Sequence, residues 1–139
     1  MKQIVSKNID CLRPYKQNAR VHSEKQINKI SASIRKFGFN NPILIDKNNT
    51  IIAGHGRWEA AKRLKMAQVP TLCLDHLSED DIRAYILADN KLAELASWDA
   101  EILAIELQHL MSLDLDFDIE ITGFEMGEID FIIDGGVTA

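Results

Sequence analysis

The stretch IIAGHGRWEAAKRL at residues 51–64 sets Gly54, His55, Gly56 and Arg57 between an apolar β-type run and a run of good helix formers. A strand that ends in Gly-x-Gly and enters a helix exposes the first backbone N–H groups of that helix. The macrodipole adds partial positive charge at the same place, so such a turn favours an anion. The glycines let a phosphate approach the backbone, Arg57 supplies a bidentate fork, and His55 can donate a hydrogen bond or exchange a proton. The same four residues also read as a plain strand-to-helix bend that needs glycine for its dihedral angles, with Arg57 in solvent. Their spacing matches neither the Walker loop nor the dinucleotide Gly-x-Gly-x-x-Gly. Taken alone, the turn leaves both readings open.

The elements that must position this turn follow from periodicity and caps. Residues 3–6 suit a short first strand. Ser23-Glu24-Lys25-Gln26 has capping-box spacing and opens a helix whose stripe is Ile27, Ile30, Ile34 and Phe37; Gly38 is its left-handed stop. Residues 43–45 and 50–53 make a β-hairpin around Asp46-Lys47-Asn48-Asn49, and the turn at residues 54–56 then leads into a helix over 57–65. Residues 69–74 form a further strand. Ser78 caps a helix to about Leu92, with Ile82, Tyr85, Ile86 and Asp89 near one face. After Trp98, read as a packing anchor, an apolar helix spans 100–111 and a last short helix falls within 122–133. Residues 114–118 suit an edge strand or a loop, and 135–139 read as a frayed end. The fold class is α+β, a small mixed sheet with packed helices.

A length of 139 residues with 46% hydrophobic composition is enough for a core without metals or disulfides. Cys11 and Cys73 stand apart and read as small packing residues; His22, His76 and His109, equally scattered, read as surface or capping residues. No apolar stretch nears the ~20 residues of a membrane span and the start is no signal peptide, so a cytoplasmic location is expected. The net charge of −5 conceals an asymmetry. Up to Lys91 there are sixteen basic and nine acidic side chains, a formal +7; beyond it there are twelve acids and no base, a formal −12. A basic body suits phosphates on a nucleotide or on DNA, or is a solvated lysine-rich surface, while the acidic tail solvates, masks or docks. With no basic recognition helix after Ser78, a helix-turn-helix reader is not expected. Leftover apolar surface over residues 102–110 favours a homodimer.

The order Asn18-Ala19-Arg20, the helix ending at Gly38, Asn41-Pro42-Ile43, then Ala53-Gly54-His55-Gly56-Arg57-Trp58-Glu59-Ala60-Ala61 resembles the N-terminal domain of the ParB and sulfiredoxin superfamily over residues 4–95. ParB proteins carry Gln-Pro-Arg, Gln-Pro-Ile and Gly-Glu-Arg-Arg at the corresponding places, and a third box beginning Glu-Asn where this chain has Asp89-Asn90. The resemblance implies a nucleotide-binding domain over residues 1–95, with an acidic, mainly helical extension over 96–139. It implies a site for CTP or ATP with Mg2+ at Arg20, Gly54, His55, Gly56 and Arg57, with Asp89 and Asn90 on the metal. Physical chemistry agrees at two points: Arg20 precedes a helix able to pack beside the hairpin, and Asp-Asn offers hard oxygen ligands. Asp89 and Asn90 read equally well as helix-surface polarity or a cap.

Departures from the family pattern bear on turnover. After Asp89-Asn90 the run is Lys91-Leu92-Ala93-Glu94, unlike the ParB box, so phosphate binding carries over more directly than slow triphosphate hydrolysis. Sulfiredoxins have a catalytic Cys-His-Arg where this chain has His55-Gly56-Arg57, so the thiol nucleophile is missing and sulfinic acid repair is not expected. Free serine kinases of the superfamily carry Gly-His-His-Arg, which makes phosphoryl transfer to a small hydroxyl an alternative, with His55 or Glu59 as base. A third alternative is a DNA-binding or nuclease-like module without nucleotide turnover, although no acidic cluster at metal spacing marks the basic body. Ala88-Asp89-Asn90-Lys91-Leu92-Ala93, Trp98-Asp99 and Thr122-Gly123-Phe124 resemble the ParB-like domains of phages and mobile elements that sit ahead of DNA methyltransferases. The resemblance therefore implies DNA and a fused or associated methyltransferase as partners in partitioning or DNA modification. The chain itself has no methyltransferase motif.

Overall fold

The computed structural model describes residues 3–18 and 20–135. The chain divides after Glu94 into two compact units. In the first, the β-branched and apolar runs become four strands, β1 (Ile4–Asn8), β2 (Ile43–Ile45), β3 (Ile51–Ala53) and β4 (Gln68–Cys73), in the order β1-β4-β2-β3. β1 runs antiparallel to β4, β2 antiparallel to β3, and β2 parallel to β4 with Ile43 opposite Thr71. A parallel pair needs a crossover, and here it passes through β3 and the helix α2 (His55–Arg63). Ile43, Ile45 and Ile51 are fully buried and cluster with Ile9, Leu12, Ala61 and Val69; Phe39, Trp58, Met66 and Cys73 pack around them. The buried Thr71 hydroxyl donates to the Val5 carbonyl at 2.7 Å, so the core holds no orphan there. This is the α+β fold with a mixed sheet expected from the sequence.

Helix α1 (Glu24–Phe37) begins where the cap places it, with Ser23 Oγ accepting the Gln26 N–H at 3.1 Å. The second half of the expected box is absent, because the Gln26 side chain turns instead to His22 Nδ1 at 3.0 Å. Gly38 stops the helix at φ 92°, ψ 168°, a positive-φ extended conformation rather than the left-handed turn. Its N–H still donates to the Ile34 carbonyl at 2.8 Å. Ile27 is buried, whereas Phe37 is 52% exposed, so the apolar stripe gives out in the last turn. Ser23→Ala is expected to cost about 1 kcal/mol, read as a lower denaturation midpoint at unchanged slope.

Helix α2 starts at His55, two residues earlier than periodicity indicates, so His55 and Gly56 lie inside its first turn. Gly56 is buried where α2 meets α1: a Cβ there would lie 2.9 Å from Ile30 Cδ1 and 3.2 Å from two atoms of the His22 ring. Helix α3 (Glu79–Leu95) is held by a reciprocal cap, the Asp81 N–H on Ser78 Oγ at 3.1 Å and the Ser78 N–H on Asp81 Oδ2 at 3.2 Å. Glu79, Asp80 and Asp81 in its first turn complement the helix dipole. Ile86 is buried and Ile82 and Tyr85 are half-buried, the face the sequence indicates; Asp89 is exposed. Of the cysteines, Cys73 packs on the core, but Cys11 is exposed and donates its thiol to the Asn8 carbonyl.

The second unit is built on α4 (Ala100–Met111) and α5 (Met126–Ile133). Asp99 Oδ1 caps α4 by accepting the Ile102 N–H at 3.1 Å. Leu103 and Leu107 pack with Ile119, Ile129 and Ile132. The helix expected over 122–133 is split: a 3-10 turn spans Ile119–Thr122, Gly123 breaks the chain at φ 96°, and α5 follows. Residues 114–118 form a loop whose Asp118 caps the 3-10 turn, so the edge-strand reading falls. Trp98 meets Phe124 with ring centroids 5.4 Å apart, yet it is 61% exposed. Of residues 135–139, read as a frayed end, only Gly135 is among those described. No helix among the described residues is long and apolar enough to cross a membrane.

Candidate functional site

The turn at residues 54–57 is shaped around a folded-back arginine. Gly54 sits at φ 106°, ψ 23°, the left-handed region that glycine enters without steric cost, and its carbonyl accepts the Trp58 N–H at 2.9 Å. A Cβ on Gly54 would lie 2.9 Å from Arg57 Nη2, so the missing side chain is what lets the guanidinium return over the turn. Nη2 donates to the Pro42 carbonyl at 3.1 Å, while the buried Nε has no hydrogen-bond partner. Burial lowers the Arg57 pKa from its ordinary value and Asp89 acts against that shift; the group stays a cation at neutral pH.

A cavity of about 240 Å³ opens over this turn. Gly54, His55, Gly56 and Arg57 line it from α2, Asn18, Arg20 and His22 from the segment before α1, and Asp89 and Asn90 from α3. The structure thus gathers at one cavity all seven residues assigned to nucleotide and metal. Glu59 is not among them: it pairs with Lys62 at 3.3 Å and lines a neighbouring cavity with Trp58, Glu24 and Arg63. Arg20 Nη1 contacts Glu94 Oε1 at 3.0 Å with both side chains substantially exposed, a surface pair worth little and free to exchange partners. Asn90 Nδ2 donates to the Ile86 carbonyl at 2.8 Å, which leaves the amide oxygen available.

His55 and His22 are the less expected part of this geometry. His55 Nε2 accepts the backbone N–H of Tyr15 at 3.1 Å, a contact across forty positions of sequence. Burial first, then His22, lowers its pKa from 6.5, against a smaller opposing effect of Glu59. His22, read from sequence as a surface or capping residue, lines both cavities and touches the Gly56 position. Its place beside the Ser23 cap was legible; the approach of α1 to α2 that brings it to His55 was not. Among the described residues no group of three His, Cys, Asp or Glu side chains is gathered for a metal. An Asp carboxylate with an Asn oxygen nonetheless fits Mg2+, which is bound by one or two carboxylates together with water and substrate phosphate.

Residues 1–96 match the family model of the ParB N-terminal domain. Residues 101–139 match that of the ParB-methyltransferase HTH domain. The match runs against the expectation of no helix-turn-helix, which rested on the absence of Lys and Arg from this segment. The chain is 46% identical over 78 residues to the ParB-like nuclease domain-containing protein YnaK of Escherichia coli, covering 56% of this chain and 90% of that one. It is 39% identical over 66 residues to a probable chromosome-partitioning protein ParB of Rickettsia bellii, covering 47% of this chain but only 23% of that longer protein. Its fold superposes with a TM-score of 0.74 on C-terminally truncated ParB from Caulobacter crescentus complexed with CTP-gamma-S, at 20% identity and covering 96% of this chain and 86% of that one. The chain belongs to the ParB N-terminal domain family.

Proposed function

We propose that this protein is a nucleotide-binding domain that takes CTP or ATP with Mg2+ and serves DNA transactions such as partitioning or DNA modification. One observation carries the reading: a single cavity gathers a helix N-terminus, two arginines, Arg20 and Arg57, and the Asp89-Asn90 pair. The first-turn N–H groups of α2, which have no intrahelical acceptor, and the Arg57 fork bind phosphate. Arg20 adds a second cation once it leaves Glu94. Asp89 and the Asn90 oxygen hold Mg2+, which supplies charge neutralisation across the phosphates. The CTP-gamma-S in the Caulobacter relative supports the same ligand class here. The basic side chains of the first 91 residues suit a DNA backbone, and the HTH match supports DNA and a methyltransferase as partners. A homodimer is proposed from the exposed Ile102 and Ile105.

A thermal-shift screen of nucleoside di- and triphosphates with magnesium tests the reading. A bound nucleotide at a hundred times its dissociation constant adds about 2.7 kcal/mol and raises the melting temperature of the wild type. Asp89→Asn is expected to abolish the part of that shift that depends on magnesium and to keep the part seen without it. No shift across the panel overturns the reading.

A further inference from the structure

We propose that His55 is a positioning residue: its Nε2 is a fixed hydrogen-bond acceptor that ties the loop carrying Asn18 and Arg20 to the phosphate cradle. A backbone N–H can only donate, so the 3.1 Å contact from the Tyr15 N–H requires an unprotonated Nε2 and leaves the ring proton on Nδ1. The loop starts from a firm base, because the Arg13 N–H donates to the Asn49 carbonyl at 2.9 Å and the Ile51 N–H to the Arg13 carbonyl at 2.8 Å. Beyond Arg13 the chain leaves the sheet, and the Tyr15 bond fastens it to α2. From there a relay continues: the Tyr15 carbonyl accepts the Asn18 N–H at 3.2 Å, and Asn18 Oδ1 accepts the Arg20 N–H at 3.1 Å. One imidazole nitrogen on the helix therefore sets where Asn18 and Arg20 stand at the cavity rim.

The contact has consequences for proton chemistry. With Nε2 occupied by an amide proton, His55 does not serve as a base toward a bound hydroxyl through that nitrogen. Protonation would place a second hydrogen against the Tyr15 N–H and break the tie. The titratable groups that act on the ring are His22 ahead of α1 and Glu59 on α2; Arg20, Arg57 and Asp89 line the same cavity. Burial and His22 outweigh Glu59, so the ring stays neutral at pH 7 and the tie is lost as pH falls below the ordinary 6.5. The effect on ligand binding rests on the nucleotide reading above; the tie itself does not.

The test uses the whole chain, first without ligand. Imidazole ¹⁵N shifts of His55 are expected to report a neutral ring protonated at Nδ1. His55→Ala is expected to speed exchange of the Tyr15 and Arg20 amides about tenfold, the scale of one hydrogen bond. His55→Gln places an amide oxygen where Nε2 stood and keeps protection near wild type. With CTP or ATP and magnesium, the alanine variant binds about tenfold more weakly and the glutamine variant within about threefold of wild type. Wild-type affinity falls on acidification, while that of His55→Gln does not. A protonated Nε2, unchanged exchange in His55→Ala, equal loss of affinity in both variants, or tighter wild-type binding in acid each overturns the proposal. If exchange responds as stated and wild type binds no nucleotide, the tie stands and the nucleotide reading fails.

Discussion

Arg57→Ala is expected to weaken nucleotide binding by about a hundredfold or more, measured by calorimetry with magnesium present, while the protein stays folded. The size follows from what the guanidinium offers. A charge-assisted bond from a desolvated group contributes roughly 1.5–3 kcal/mol, and the planar fork can make two in parallel. The intact fold follows from what the guanidinium lacks in the free protein. Among the described residues its one hydrogen bond is to the Pro42 carbonyl, and its Nε is buried without a partner. Removing a group that is itself under-satisfied costs little stability, so binding and folding separate. Arg57→Lys keeps the charge but loses the fork and is expected to fall between alanine and wild type. Unchanged affinity in Arg57→Ala would remove the cradle reading altogether.

That arginine also marks the boundary of what sequence reasoning reaches. Its type and spacing indicated an anion site, but its burial against Pro42 depends on how the hairpin folds back on α2. Local signals placed the local structure well. Asp99 positioned α4 (Ala100–Met111), and the polar run from Asp46 positioned the hairpin. The start of α2 came out two residues late because Gly54 caps with its backbone conformation and has no side chain to announce it. The pairing of β1 with β4 joins residues sixty or more positions apart, and no periodicity encodes it. The same holds for the approach of Tyr15 and His22 to His55. The match of residues 101–139 to a helix-turn-helix family was not legible from charge, because that segment is acidic and apolar with no Lys or Arg.

Two glycine variants separate the architecture of the cradle from its energetics. Gly54→Ala and Gly38→Ala each force a side chain onto a positive-φ backbone, at φ 106° and 92°. The first enters the left-handed helical region, at a cost of roughly 1–2 kcal/mol. The second, with ψ near 168°, enters a region that is essentially glycine-only, at about 1–3 kcal/mol. Their surroundings differ more than their strain. A Cβ at Gly38 meets the Asn40 side chain at 3.5 Å (Oδ1) and 3.9 Å (Nδ2), ordinary contact, whereas one at Gly54 lies 2.9 Å from Arg57 Nη2 and 3.2 Å from its Cζ. The guanidinium is held by Pro42, so a Cβ at Gly54 is accommodated only by breaking that bond and moving the fork. Both variants are expected to lower the unfolding free energy by a similar amount, roughly 1–3 kcal/mol, but Gly38→Ala leaves nucleotide affinity within about threefold of wild type. Gly54→Ala is expected to lose most of that affinity, because it displaces the fork that faces the phosphates. Chemical denaturation and calorimetry on the same two proteins measure both quantities. Parallel losses of stability and affinity would mean that Gly54 only shapes the backbone and does not set the position of Arg57.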